Sequence, residues 1–410
     1  MAAQHQQAQS LYRGPAGYVE LTSTEHNGQS GLLLRYVNPD VRKLHAIDEA
    51  GMLEMYQAIA TVEEQVAGGA EDAPQFLVLY GAYDPLHAGA DVTQFDGDPD
   101  YEAVAAHMHR GVELDARIKR LWRQLRTVGV FCGNRFGGSV EWPLFAQYGV
   151  CDSNTVLQLS EVQLGILPGW DGILNVMLRS NPSNAQYLAS TGNPVGPDEL
   201  LATGIVQSVV EAAPAPDRKL TAPDLWPSQW QAYAEQAQAT LLAAALDLAT
   251  GELDYELGTE YQLVDAEEYF AEISRRTQDT EYRELRERIS AELERLGPEP
   301  QPDELKRVNK QVAEELAQLG KPLAPEAVNY VQRYVKQFGS LSKDELLARF
   351  EELGRIEADM CVALMRHPHR REGVRAVLSK NPAERIPVFG EVDYSQERIS
   401  PYEFTSGDGS

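Results

Sequence analysis

Cysteine, positive charge and long apolar runs are scarce in this chain, and each scarcity excludes something. Only three cysteines occur in 410 residues, Cys132, Cys151 and Cys361. They are widely separated and form no CxxC pair or His/Cys cluster, so neither a disulfide framework nor a structural zinc site is expected. The pattern fits a reducing compartment. Lysine and arginine number 36 against 62 aspartates and glutamates, a formal net charge of −26. Such a surface repels phosphate backbones and argues against nucleic-acid binding. It also means that a site for any anionic ligand must be locally basic or use backbone N–H groups at a helix start. No run of about 18 apolar residues is present, and the first residues (MAAQHQQAQSLYRG) lack an apolar leader. The expectation is a soluble, cytoplasmic protein with no membrane partner. Apolar residues make up 43% of the chain, enough for a core without disulfides.

Two halves differ in character. Residues 1–16 read as an N-terminal tail. From 17 to 215, short apolar runs alternate with helical stretches, the pattern of an α/β layer architecture. Gly17 to Thr22 and Gly31 to Tyr36 read as antiparallel strands around a His26-Asn27-Gly28 turn. Phe76 to Tyr80 (FLVLY), Val128 to Cys132 and Thr155 to Leu159 read as further strands, and Gly204 to Val210 as the last. Helices are predicted over 50–66 and 101–126, the second with Leu114, Ile118, Leu121 and Leu125 on one face. Residues 216–400 form a charge-rich helical region, broken at Gly297 to Asp303. There Ser342 and Glu345 make a capping box, and Leu346, Phe350, Leu353, Ile356, Met360 and Leu364 follow at helical spacing. Residues 401–410 read as a frayed tail.

Three segments, each just after a strand, carry candidate chemistry. Leu86 to Asp91 (LHAGAD) contains His87, Ala88, Ala90 and Asp91. Alone it reads as a turn, with Asp91 capping the next helix. In Asn134 to Glu141 (NRFGGSVE), Gly137-Gly138 lets backbone N–H groups approach a ligand where a helix begins. An anion or a developing oxyanion suits that position, and Glu141 lies in the same first turn. Leu159 to Gly169 (LSEVQLGILPG) places Glu161 in an apolar stretch, where burial raises a carboxyl pKa and suits a general acid. Each signal alone also fits a packing turn or a structural carboxylate.

In this order and spacing the segments resemble the crotonase (enoyl-CoA hydratase/isomerase) superfamily. The family pattern is met at Ala88 to Asp91, Gly137 to Glu141 and Glu161 to Gly169. Leu188 to Gly192, Glu199 to Val206 and Arg371 to Lys380 add weaker matches. The resemblance implies a crotonase-like spiral of ββα turns with an extended helical C-terminal region that covers the site or mediates assembly. It implies an acyl-CoA thioester substrate, with coenzyme A as part of the substrate and neither a separate cofactor nor a metal, and a homo-oligomer, trimer or hexamer. It further implies that the amides of Ala90 and Gly138 form an oxyanion hole and that Glu141 and Glu161 do the acid–base work. His87, Ala88, Asp91, Gly137, Gly169, Asp171 and Lys380 become candidates for substrate or CoA contact, with Arg375 beside Lys380.

The sequence also departs from the family pattern. Gln147 stands where an aspartate is usual, Ser160 where a proline is, and Asp171-Gly172 where two glycines are. The length and the C-terminal helix resemble a 3-hydroxyisobutyryl-CoA hydrolase, but that enzyme type has an aspartate at the position of Gly169 and lacks the first glutamate. Hydration of an α,β-unsaturated acyl-CoA is the leading expectation. A C–C-cleaving hydrolase of a cyclic oxo-acyl-CoA, a thioesterase and an inert scaffold are the alternatives.

Overall fold

The computed structural model describes residues 9–68, 73–84, 86–214, 226–251 and 257–391. Its ten strands are β1 (Ser10–Arg13), β2 (Val19–His26), β3 (Gln29–Tyr36), β4 (Phe76–Gly81), β5 (Leu86–His87), β6 (Arg126–Phe131), β7 (Asn134–Phe136), β8 (Tyr148–Asp152), β9 (Val156–Gln158) and β10 (Ser208–Val210). The helices of the first half are α1 (Glu49–Ala67), α2 (Tyr101–Leu121), α3 (Gly138–Leu144), α4 (Gly172–Arg179), α5 (Pro182–Thr191) and α6 (Pro197–Ala202). Those of the second half are α7 (Trp226–Thr250), α8 (Ala266–Arg276), α9 (Thr280–Leu296), α10 (Pro302–Leu319), α11 (Pro325–Phe338), α12 (Lys343–Ala348), α13 (Phe350–Met365) and α14 (Pro368–Leu378). None is long and apolar enough to cross a membrane.

Asn27 and Gly28 both adopt positive φ, +50° and +74°, which closes the β2–β3 hairpin with the twist its strands require. The expected tail at 1–16 is corrected in part. Tyr12 and Arg13 pair with Leu21 and Glu20, so this segment adds an edge strand to the sheet. The last strand is shorter than expected, Ser208–Val210. The boundary at 215/216 and the tail at 401–410 lie outside the described residues.

Two sheets result. The large one runs β1-β2-β3-β4-β6-β8-β10, and the small one β5-β7-β9. From β3 to β10 the large sheet is parallel and covered on both faces, which explains the unbroken apolar run Phe76–Leu79, all fully buried. One face packs on α1 and α2, through residues such as Leu34, Met55, Leu79 and Ile118. The other receives α7, where Leu241, Ala245 and Leu248 meet Phe76, Val78, Val128 and Val150. Each such leucine contributes about 1.5–3 kcal/mol by leaving water.

The chain repeats one motif three times: a strand in the large sheet, a short strand in the small sheet, then a helix. The sequences β4-β5-α2, β6-β7-α3 and β8-β9 followed by the single helical turn Glu161–Gln163 are these repeats. The small sheet pairs its members in parallel, Leu86 with Asn134 and Asn134 with Val156. Their C-terminal ends therefore lie side by side. The three motif segments, separated by dozens of residues in sequence, all start there.

Candidate active site

A cavity of about 1300 Å³ opens over the C-terminal ends of β5, β7 and β9. Ala88, Ala90, Asp91, Gly137, Gly138, Glu141, Glu161 and Gly169 all line it. Contacts between the loops explain how they converge. The N–H of Gly137 donates to Gln158 O at 3.0 Å, and Ser139 Oγ donates to His87 O at 3.0 Å. At Gly89 a Cβ would sit 2.6 Å from Phe136 O and 2.7 Å from Gly138 N. The first two loops are thus in backbone contact at a point where only glycine fits.

That contact brings two amides to one place. Ile47 bridges to Ala90 through Ile47 N–H to Gly89 O (3.0 Å) and Asp91 N–H to Ile47 O (3.4 Å). This pairing leaves the Ala90 N–H free for another acceptor. Gly138 is the first residue of α3, so its N–H has no partner within the helix. Preceding it, Gly137 adopts φ +52°, a conformation suited to glycine. Behind Gly138, the indole of Trp170 fills the space a side chain would need, and a Cβ at this position would stand 2.3 Å from the ring.

The two glutamates differ in how they are held. Glu141 is buried, and its Oε1 accepts the amides of Trp170 (2.8 Å) and Gly172 (3.1 Å). Burial, then the charge of Glu161, pushes its carboxyl well above the usual range, while the two amide bonds pull it back down. Glu161 packs against the bare backbone of Gly137, and its buried Oε2 has no partner among the described residues. Burial is the main cause that pushes its carboxyl up to about 8, with the charge of Glu357 adding to the rise and its own backbone amide opposing it. Two buried carboxyls, both raised above the usual range and held differently, thus share one cavity and titrate as a unit.

Three expected contacts do not reach the cavity. In the two-residue strand β5 successive side chains point to opposite faces, so Leu86 meets the cavity and His87 turns inward. The His87 ring packs on His45, with centroids 5.0 Å apart, and its Nε2 lies 3.7 Å from Cys132 Sγ. Asp171 adopts φ +65° just before α4 and is buried away from the cavity, against Gly354 of α13 and beside Asp115 of α2. Lys380 lies past the end of α14 and is exposed, whereas Gly373, Ala376 and Val377 of that helix face the cavity. Its neighbour Arg375 is paired with Glu372 at 2.8 Å.

Several residues escaped the sequence reading. Met108 and Cys361 line the cavity beside Gly169, where a Cβ would lie 2.7 Å from Met108 Sδ and 3.0 Å from Cys361 Sγ. Glu357 accepts the amides of Ile173 (3.0 Å) and Leu174 (3.1 Å). A signal for Glu357 did exist. It falls four residues after Leu353 and three before Met360, so it sits on the apolar stripe of α13 rather than its wet face.

A family model described as enoyl-CoA hydratase/isomerase matches residues 40–395. The chain belongs to the enoyl-CoA hydratase/isomerase family. It is therefore an acyl-CoA enzyme of crotonase type. Among curated members, an ethylmalonyl-CoA decarboxylase of Danio rerio is 25% identical over 225 residues, covering 53% of this chain and 68% of that protein. The fatty acid oxidation complex subunit alpha of Pseudomonas putida (strain GB-1) is 28% identical over 211 residues, covering 49% of this chain and 24% of that longer protein. Two solved structures share the fold over most of the length. An enoyl-CoA hydratase from Rhodobacter sphaeroides 2.4.1 has a TM-score of 0.50 at 16% identity, covering 87% of this chain and 89% of its own. A carnitinyl-CoA dehydratase from Mycobacterium thermoresistibile has a TM-score of 0.50 at 19% identity, covering 91% and 94%.

Proposed function

We propose that this enzyme adds water across the α,β double bond of an enoyl-CoA thioester. The observation that carries this reading is the pairing of Glu141 and Glu161 in one cavity, the first bonded to two amides and the second with one buried oxygen unpartnered among the described residues, beside the free N–H groups of Ala90 and Gly138.

In the proposed reaction the thioester oxygen accepts hydrogen bonds from the Ala90 and Gly138 amides. Glu141 takes a proton from water as the water oxygen bonds to Cβ. The π electrons move toward the thioester oxygen, and the two amides stabilise the resulting enolate. Removing one such donor typically costs about 3 kcal/mol of barrier. The enolate then takes the proton of Glu161 at Cα. The product has gained one water, and transfer of a proton from Glu141 to Glu161 restores the starting state. Met108, Trp170 and Cys361 bound the space around the glutamates and limit the size of the acyl group.

Incubation with crotonyl-CoA tests the reading. Loss of the conjugated thioester absorbance, with a product heavier by one water and no free thiol, is expected. Thiol release without hydration would assign thioester hydrolysis instead, and an unchanged substrate would reject both for this acyl group.

A further inference from the structure

The cavity mouth carries cations on two sides, and they differ in one respect. On the side of the first loop, Arg42 is bound to Asp40 at 2.8 Å, and Lys43 to Asp91 and Asp48 at 3.0 and 3.5 Å. Those charges are already neutralised. Across the cavity, Lys321 and Arg385 also line the wall, and among the described residues neither forms an ion pair with a carboxylate. Arg385 Nη1 donates to Asn309 Oδ1 at 3.1 Å, a neutral partner. Two uncompensated cations facing one cavity are conspicuous in a chain with a net charge of −26.

The backbone beneath Lys321 is fixed. Its carbonyl accepts Arg276 Nε at 2.8 Å, and the Gly320 carbonyl accepts the Tyr282 hydroxyl at 3.0 Å. Gly320 has φ +74°, and a Cβ there would meet Arg276 Nε at 2.9 Å. Leu323 N–H donates to Arg276 O (2.9 Å), and Ala324 N–H donates to Val162 O (3.1 Å). The loop that presents Lys321 is thereby tied to the residue next to Glu161. Partial loss of solvent around the Lys321 ammonium, then repulsion from Arg276 and Arg385, lowers its pKa, although the residue as a whole stays exposed at the cavity mouth. An anion placed among these groups relieves that repulsion.

We propose that Lys321 and Arg385 form a phosphate site for the coenzyme A half of the substrate, supplied by the helical region of the same chain. The inference rests on the acyl-CoA reading and adds where the anionic end is held. Phosphate offers the acceptor oxygens that lysine and arginine match, and a site of this kind answers how so acidic a protein retains an anionic substrate.

Crotonyl-CoA, its 3′-dephospho form and crotonylpantetheine, together with calorimetric binding of CoA itself, test the proposal on the full chain. For the wild type, KM should be lowest for crotonyl-CoA. In K321Q/R385Q the KM for crotonyl-CoA should rise about tenfold with kcat far less affected, the loss expected of charge-assisted hydrogen bonds. K321R on the R385Q background should recover part of the loss. K380Q, which alters a lysine off the cavity wall, should behave as wild type and so control for net charge. An effect that vanishes with the 3′-dephospho substrate supports the site and assigns it to the 3′-phosphate; one that persists supports it and assigns it to the pyrophosphate. CoA binding by K321Q/R385Q at wild-type strength overturns the phosphate site alone. A wild type that binds no CoA overturns the acyl-CoA reading itself.

Discussion

Glu357 and Glu141, from helices more than 200 residues apart in the chain, cap the same helix start. Glu141 accepts the N–H of Gly172, and Glu357 accepts those of Ile173 and Leu174. These are the first three amides of α4, which no intrahelical carbonyl can satisfy. Asp171, in the usual capping position, forms no side-chain cap. The helix is capped by tertiary structure instead, and one of its caps is a candidate catalytic side chain. The helical second half therefore does more than roof the cavity, because it helps fix the loop that orients Glu141.

From this arrangement, replacing Glu357 with alanine should cost about 2–4 kcal/mol of stability, since it strands two buried N–H groups and opens a void. Glu357→Gln should cost less, because a carbonyl oxygen remains to accept one bond. Denaturant unfolding of the three proteins checks the ranking. The Gln variant also removes a titratable carboxyl whose charge, once it ionises, raises the Glu161 carboxyl. Its rate should therefore fall at a lower pH than that of the wild type on the alkaline side, and a superimposable profile would detach Glu357 from the pair.

The raised pKa of Glu161 has a consequence for stability whose sign is fixed. Its folded value is about 8 and its ordinary value 4.5. Between these, the folded state keeps a proton that the unfolded chain has released. Stability is then full below about 4.5 and declines as pH rises toward 8, with a slope of up to about 1.4 kcal/mol per pH unit. Glu161→Gln removes this proton difference. Relative to wild type, the variant should gain stability between pH 5 and pH 8, as read by unfolding midpoints at each pH. A constant difference across that range would place the group at an ordinary pKa.

For turnover, Glu161→Gln and Glu141→Gln should each lower kcat by about 10²–10⁴, the range for lost general acid or base catalysis. CoA binding should hold in both, because the proposed coenzyme contacts are elsewhere. The two differ in one further respect. Only Glu141 bonds to the amides of Trp170 and Gly172, so Glu141→Ala should lose more stability than Glu161→Ala. Equal stability losses would mean that the two carboxyls are held alike.

Much of this site was legible because it is written in local signals. Gly137-Gly138 before Glu141 marks a loop that must approach something closely, and Asn27-Gly28 marks a hairpin. Other features depend on information no local pattern holds. The inward turn of His87 follows from β5 being a strand, and two residues are too few to show a period. The displacement of Asp171 follows from its φ of +65°. Lys321 and Lys380 look equivalent as letters, yet only the first lies on the cavity wall. What distinguishes them is the Ala324–Val162 hydrogen bond that ties the Lys321 loop to the cavity, a product of tertiary packing.

Gly89 offers the most direct test of the amide pair, because it touches neither substrate nor glutamate in the proposed reaction. A methyl group there would stand 2.6 Å from Phe136 O and 2.7 Å from Gly138 N, both backbone atoms that cannot swing aside. In Gly89→Ala the first two loops must separate by several tenths of an ångström or more. The Ala90 and Gly138 amides then no longer converge on one oxygen, while Glu141 and Glu161 keep their own supports. The expected loss is about 10²-fold in kcat, comparable to removing one oxyanion donor, with a smaller change in CoA binding. The pH profile should keep its shape, since no titrating group is altered. A variant that folds and turns over at the wild-type rate would show that the two amides do not act together on the thioester oxygen.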